Sequence, residues 1–199
     1  MKVLLIGHSY VNHLKRVGSW DRRIRLDNNS HVDLDFSFHS QPGKDFAYFL
    51  ENEGSLNCVS EVDPDIVVVI LGGNSIVDHN DNSQLRVFAL DFYRKLKSLV
   101  KDNCVILAAQ VEPRWVQPKN RFGAPEYVEF EKRRSILNNY FNKVIKKREK
   151  LIDSLILLGS VSFLNNIELS RDGIHLNQQG LSLYKEAVIG AIVSWLNRD

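Results

Sequence analysis

Two cysteines, Cys58 and Cys104, are all that a chain of 199 residues holds. Isolated and outside any paired motif, they exclude a disulfide framework and fit a reducing compartment. Cys104 lies in an apolar run, where a thiol behaves as a small buried hydrophobe. Long apolar runs are missing too: none approaches the ~18 residues of a spanning helix. The apolar run at the N-terminus is too short for a leader, and cleavage there would remove Ser9, so a cytoplasmic location is expected. Neither sign of charge prevails. The formal net charge is +2, which neither requires nor excludes an anionic partner. His8, His13, His31, His39 and His79 stand at no metal-ligand spacing such as His-Glu-x-x-His, so no metal site is expected. Repeats, low-complexity tracts and linkers are absent as well. One domain over residues 1–199 is therefore expected, large enough to bury about 70% of its unfolded surface.

What is present is a series of short apolar runs separated by helical periodicities. Val3-Leu4-Leu5-Ile6 lacks alternation, the pattern of a strand buried on both faces. Gly7 then permits a turn or a close backbone approach, and Ser9 falls where a helix begins. Residues 11–26 space Val11, Leu14, Val17, Trp20 and Ile24 as an amphipathic helix. Residues 32–38 alternate strictly, which predicts an edge strand, and end in the loop Ser40-Gln41-Pro42-Gly43. A short helix follows over 45–50. The run 66–71 is apolar throughout and reads as a central parallel strand; it stops at Gly72-Gly73-Asn74. The pattern continues with a helix over 83–100 and a strand over 105–109. Residues 111–127 carry Pro113, Pro118 and Pro125 and have the length of a lid or binding loop. A helix over 129–150, a strand over 154–158, a loop over 159–176 and a helix capped by Asn177 and running to Leu196 complete the chain. Strands alternating with helices predict an α/β fold with a parallel sheet, and right-handed crossovers make it a three-layer αβα sandwich.

Parallel strands end at one edge, where ligands of open α/β sheets bind. Ser9 follows the first expected strand, Gly43 the second, Asn74 the third, and Asp172 with His175 the fifth. Those residue types suit acyl transfer. A serine hydroxyl is a weak nucleophile and needs a positioned base. His175 can take its proton, and Asp172, three residues earlier, can hold the imidazole tautomer and stabilise the imidazolium. The tetrahedral intermediate needs N–H donors; the backbone N–H groups of Ser9 and Gly43 and the side-chain amide of Asn74 are candidates. Each residue also has a plainer reading: Ser9 as a helix cap, Gly43 as a turn glycine, Asn74 as an Asx turn. Their convergence on one edge favours a site.

Gly7-His8-Ser9, Gly43, Gly72-Gly73-Asn74 and Asp172-Gly173-Ile174-His175-Leu176 resemble the four motif blocks of the SGNH (GDSL-type) hydrolase superfamily. The likeness spans nearly the whole chain, and residues 172–180 are its most specific part. It implies a flavodoxin-like five-stranded parallel sheet of order 2-1-3-4-5. It also implies an ester hydrolase without cofactor, acting through an acyl-serine on short, acetyl-like acyl groups. Ser9 is then the nucleophile, His175 the base and Asp172 its orienter, with Ser9, Gly43 and Asn74 forming the oxyanion hole. One departure stands out: the acid that usually precedes the nucleophile is His8 here. The compact form further resembles the esterase-like domains of animal CR1/L2-type retrotransposon first-ORF proteins.

His8, Arg114 and Trp115 are candidate substrate contacts, against plainer readings as a packed imidazole, a solvated arginine and a loop anchor. Residues 131–150 hold eight Lys/Arg against two Glu. In a continuous helix Lys143, Lys146, Lys147 and Lys150 share one face, either a solvated surface or a patch for anionic lipid or RNA. The competing functional reading is thus a non-catalytic module that keeps the fold and binds such a partner.

Overall fold

The structure, a computed structural model, describes residues 1–114, 124–156 and 174–198. Among these, six strands form one sheet: β1 (Lys2–Gly7), β2 (Arg22–Arg25), β3 (His31–Ser40), β4 (Ile66–Ile70), β5 (Val105–Ala109) and β6 (Ser154–Ile156). Their order is β2-β3-β1-β4-β5-β6. All neighbours are parallel except β2 and β3. The five parallel strands follow the expected 2-1-3-4-5 order. β2 adds an antiparallel sixth, so β3 is not the edge strand its alternation suggested.

β2 lies where a continuous helix was expected. The first helix, α1 (Ser9–Leu14), is short, and Gly18 at φ +57° turns the chain back. Trp20 closes this return, its indole Nε1 donating to the Leu14 carbonyl at 2.9 Å. Val11, Leu14, Val17 and Trp20 still enter one core, with Ile24 packed at its margin. The apolar spacing reported which side chains are buried, and the backbone met it by a helix, a turn and a strand.

Successive residues of β1 and β4 point to opposite faces and feed two cores. Val3, Leu5, Ile66, Val68 and Ile70 meet α1 and α7 (Gln178–Leu196), whereas Leu4, Ile6, Val67 and Val69 meet the other helical layer. That layer is built from α2 (Phe46–Glu51), α3 (Asn57–Val62), α4 (Gly73–Asp78), α5 (Asn82–Leu99) and α6 (Ala124–Tyr140). The arrangement is a three-layer α/β/α fold. Asn177 caps α7, its Oδ1 accepting from Gly180 N at 2.9 Å.

α3 and α4 were not expected, being six residues each and too short to show a period. α6 begins at Ala124 rather than Glu129, and past Tyr140 it widens into a π-helical stretch over Phe141–Lys146. Lys150, at φ +54°, lies beyond the helix end. The π turn and this exit break the α-helical spacing, so Lys143, Lys146, Lys147 and Lys150 do not share one α-helical face. No helix among the described residues is long and apolar enough to cross a membrane.

Candidate active site

β1 delivers Ser9 to the carboxyl edge of the sheet. Gly7 is required there by close approach: a Cβ would come within 2.0 Å of the Ile70 carbonyl oxygen on β4. The close β1–β4 pairing therefore fixes the backbone immediately before Ser9. Ser9 opens α1, with His8 as N-cap.

Ser9 Oγ stands 3.0 Å from His175 Nε2 across a sequence separation of 166 residues, within range for proton transfer. Residue 175 follows Ile174, whose carbonyl accepts the Tyr10 hydroxyl at 2.6 Å. Tyr10 thus ties the helix that carries the serine to the segment that carries the imidazole. Its role was not apparent from sequence. Asp172, the expected orienter of His175, lies outside the described residues, as does Trp115.

The Gly43 loop and α4 form the opposite wall. Gly43 has φ +75°, a conformation that disfavours side chains, and open space surrounds its missing Cβ. The Asn74 amide donates to the Lys44 carbonyl at 3.2 Å. An amide nitrogen has two hydrogens, so this bond steadies the Gly43–Lys44 turn and leaves a second N–H. Ser75 Oγ accepts from Phe46 N at 3.1 Å, and His79 Nε2 meets Asp45 Oδ2 at 2.5 Å. These contacts join α4 to the start of α2. From α6, the buried Arg133 guanidinium donates to the carbonyls of Ile76 and His79 near the end of α4, where a cation suits the helix dipole.

Ser9, Gly43, Asn74, Arg114 and His175 border one cleft of about 580 Å³, with Asp78 and Glu126 on its wall. Beside Ser9 a second recess of about 20 Å³ is lined by His8, Tyr10, Gly73, Asn74, Glu112, Pro113, Arg114 and Ile174. Arg114 is not a solvated arginine. Its Nη2 donates to the Gly73 carbonyl at 3.3 Å, and its guanidinium lies 4.6 Å from the Phe130 ring centroid. Asn138 on α6 holds the backbone leading there, bonding Val111 through both N–H and carbonyl.

Two imidazoles approach the serine, and electrostatics separates them. His8 Nδ1 stands 3.4 Å from Ser9 Oγ, but the ring is only 4% exposed. Burial, with the nearby positive charge of Arg114 and His175, pushes its pKa down to about 3. Such a nitrogen is too weak a base to activate a hydroxyl near neutral pH. His175, partly exposed, borders the cleft and stands nearer to Ser9 Oγ, at 3.0 Å. A third buried group was missed from sequence. Glu112 follows β5 and accepts the Tyr184 hydroxyl from α7. Burial pushes its carboxyl up to about 7, against the opposing effect of that hydrogen bond. The only sequence signal was a lone acid close after an apolar strand.

No family model matches the chain, and no curated protein sequence matches it. Solved structures do. An acetyl xylan esterase, AlAXEase, is 16% identical over 96% of this chain and 100% of its own, with a TM-score of 0.66. A GDSL-like lipase from Bacteroides thetaiotaomicron is 14% identical over 96% and 87%, also at 0.66. The esterase EstA from Pseudoalteromonas sp. is 14% identical over 99% and 99%, at 0.59. The chain shares the fold of these esterases and of the GDSL-like lipase. The likeness to retrotransposon domains rests on the sequence motifs alone.

Proposed function

We propose that this chain is a serine esterase that hydrolyses short-chain acyl esters through an acyl-serine. The observation that carries the reading is Ser9 Oγ at 3.0 Å from His175 Nε2, in a cleft that also holds Gly43 and Asn74. Ser9 attacks the ester carbonyl carbon as its proton passes to His175 Nε2. The backbone N–H groups of Ser9 and Gly43 and the Asn74 amide receive the oxyanion. Collapse breaks the bond to the alcohol oxygen, which leaves with the proton from His175. Water then repeats the sequence on the acyl-serine, giving a carboxylic acid and free Ser9. Asp172 is assigned the orienting role on its motif position.

The 20 Å³ recess beside Ser9 supports a small acyl group, since it is about the size of one water molecule or methyl group. The larger cleft suits the alcohol portion. Two of the proteins named above frame the choice: one is an acetyl xylan esterase, the other a GDSL-like lipase. The small recess favours the acetyl alternative. The test is labelling with a fluorophosphonate and mapping of the modified residue, alongside hydrolysis of acetyl, butyryl and octanoyl chromogenic esters. Modification at Ser9 with acetyl turned over fastest is expected. A protein that is neither labelled nor active would overturn the esterase reading, and faster octanoyl turnover would overturn the short-chain assignment.

A further inference from the structure

His8 sits where the SGNH motif carries an acid, and its imidazole belongs to the surroundings of the nucleophile. Its Nδ1 accepts the backbone N–H of Tyr10 at 3.5 Å. A ring nitrogen that accepts carries no proton, which puts the hydrogen of the neutral ring on Nε2. The same Nδ1 stands 3.4 Å from Ser9 Oγ. The serine hydroxyl therefore has one proton and two nitrogens within reach, His175 Nε2 and His8 Nδ1.

We propose that His8 is a positioning residue for the nucleophile, an uncharged side chain that caps the start of α1 through Tyr10 N and offers the Ser9 hydroxyl an acceptor when His175 is protonated. The inference rests on Ser9 being the nucleophile, as argued above. With His175 neutral, the hydroxyl donates to His175 Nε2 and is set for attack. With His175 protonated, its Nε2–H donates to Oγ, and the serine hydrogen turns to another acceptor; His8 Nδ1 is within reach. Because His8 is buried and faces the cation Arg114 as well as His175, it stays neutral and does not compete for the transferred proton. Tyr10, Asn74 and the buried Glu112 also line the recess that His8 borders. An aspartate at this position would accept the same bonds, but its full negative charge would favour the imidazolium form of the pair.

The test uses the full chain with His8→Ala, His8→Asn and His8→Asp, each followed by cooperative unfolding, kcat, KM and the pH profile. His8→Ala is expected to lower kcat roughly 10- to 100-fold with little change in KM, the cost of a misplaced reacting atom. Asn, whose Oδ1 takes the place of Nδ1 and still caps the helix, is expected to restore most of kcat. It also keeps the test alive where the alanine variant does not fold. His8→Asp is expected to move the acid limb of the profile upward by about one pH unit. Unchanged kcat and pH profile in folded His8→Ala would overturn the proposal. So would failure of folded His8→Asn to exceed His8→Ala. Nitrogen NMR of the imidazoles supplies a readout independent of turnover. It should show a neutral Nε2–H ring at His8 that does not titrate between about pH 5 and 8, the range of an ordinary histidine. A ring that titrates there overturns the proposal even in an active enzyme. Absent labelling of Ser9 by a fluorophosphonate sinks the esterase reading instead, and the positioning role with it, while the NMR result still decides the state of His8.

Discussion

At the amino edge of the sheet, Asp65 accepts from Lys2 N and pairs with Lys101 Nζ, both at 2.8 Å, and Asp153 accepts from Ile106 N at 2.8 Å. At the carboxyl edge, Ser9, Asn74 and His175 line a cleft. The strands are the same and the residue types overlap, yet the amino edge ties its carboxylates to strand N–H groups, while the carboxyl edge sets Ser9, Asn74 and His175 around an open volume. The difference follows from what each edge must satisfy. Strand starts expose N–H groups that a carboxylate caps at close range. The carboxyl edge meets short loops and helix starts that provide much of that satisfaction. Gly7 O, for example, accepts from Gln41 N at 2.8 Å.

If this contrast holds, substitutions at the carboxyl edge remove activity and those at the amino edge remove stability. The largest effect is expected from Ser9→Ala or His175→Ala, which should lower kcat by about 10⁴-fold or more while the unfolding transition stays cooperative. His8, despite its 3.4 Å approach, should not rescue His175→Ala. Substantial turnover by that folded variant would contradict the division between the two imidazoles. Next, Asn74→Ala should cost roughly 10²- to 10³-fold in kcat rather than KM, the usual loss of one oxyanion donor. A change confined to KM would make Asn74 a ground-state contact.

The converse case is Asp153→Ala. It strands the N–H of Ile106 in a central strand and should lower unfolding free energy by about 1 to 3 kcal/mol, with kcat intact in denaturant-free buffer. Activity loss without loss of stability would blur the contrast between the edges.

Glu112 offers a sharper test because it is buried behind the active edge without facing the large cleft. Its folded pKa, about 7, lies above the ordinary value of 4.5. Between those values the folded state holds a proton that the unfolded state has released, so stability should fall as pH rises from about 4.5 to about 7. Glu112→Gln should flatten that segment of the stability–pH curve, and an unchanged slope would assign it to other groups. The smallest effect is expected from Lys143→Glu with Lys147→Glu. Both lysines are exposed near the π-helical end of α6 and neither borders the cleft, so hydrolysis of a small soluble ester should be unaltered. A changed kcat would show the cleft reaching farther along α6 than its lining indicates.

Much of this was legible in the chain itself. β4 and β5 are apolar at every position and buried at every position, because a strand covered on both faces admits nothing else. The Asn177 cap was legible for a local reason, since a side-chain oxygen reaches the N–H three residues on. β2 was hidden because its one apolar residue, Ile24, continues a helical spacing that serves the same core. The lysine face failed because sequence spacing assumes 3.6 residues per turn and a π turn does not keep it.

The order of apolar strands, the turn glycines and the types of residue that follow each strand were determined by sequence alone, since each depends on neighbours within a few positions. Tertiary structure alone decided which polar groups touch. Ser9 and His175 meet across 166 residues, and Tyr184 and Glu112 across 72. Chain spacing carries no distance at that range; only the packing of β1, β4 and α7 closes it. The same packing made His8 chemically unlike His175. In sequence both are simply histidines, and burial next to a guanidinium keeps His8 from acting as a base near neutral pH.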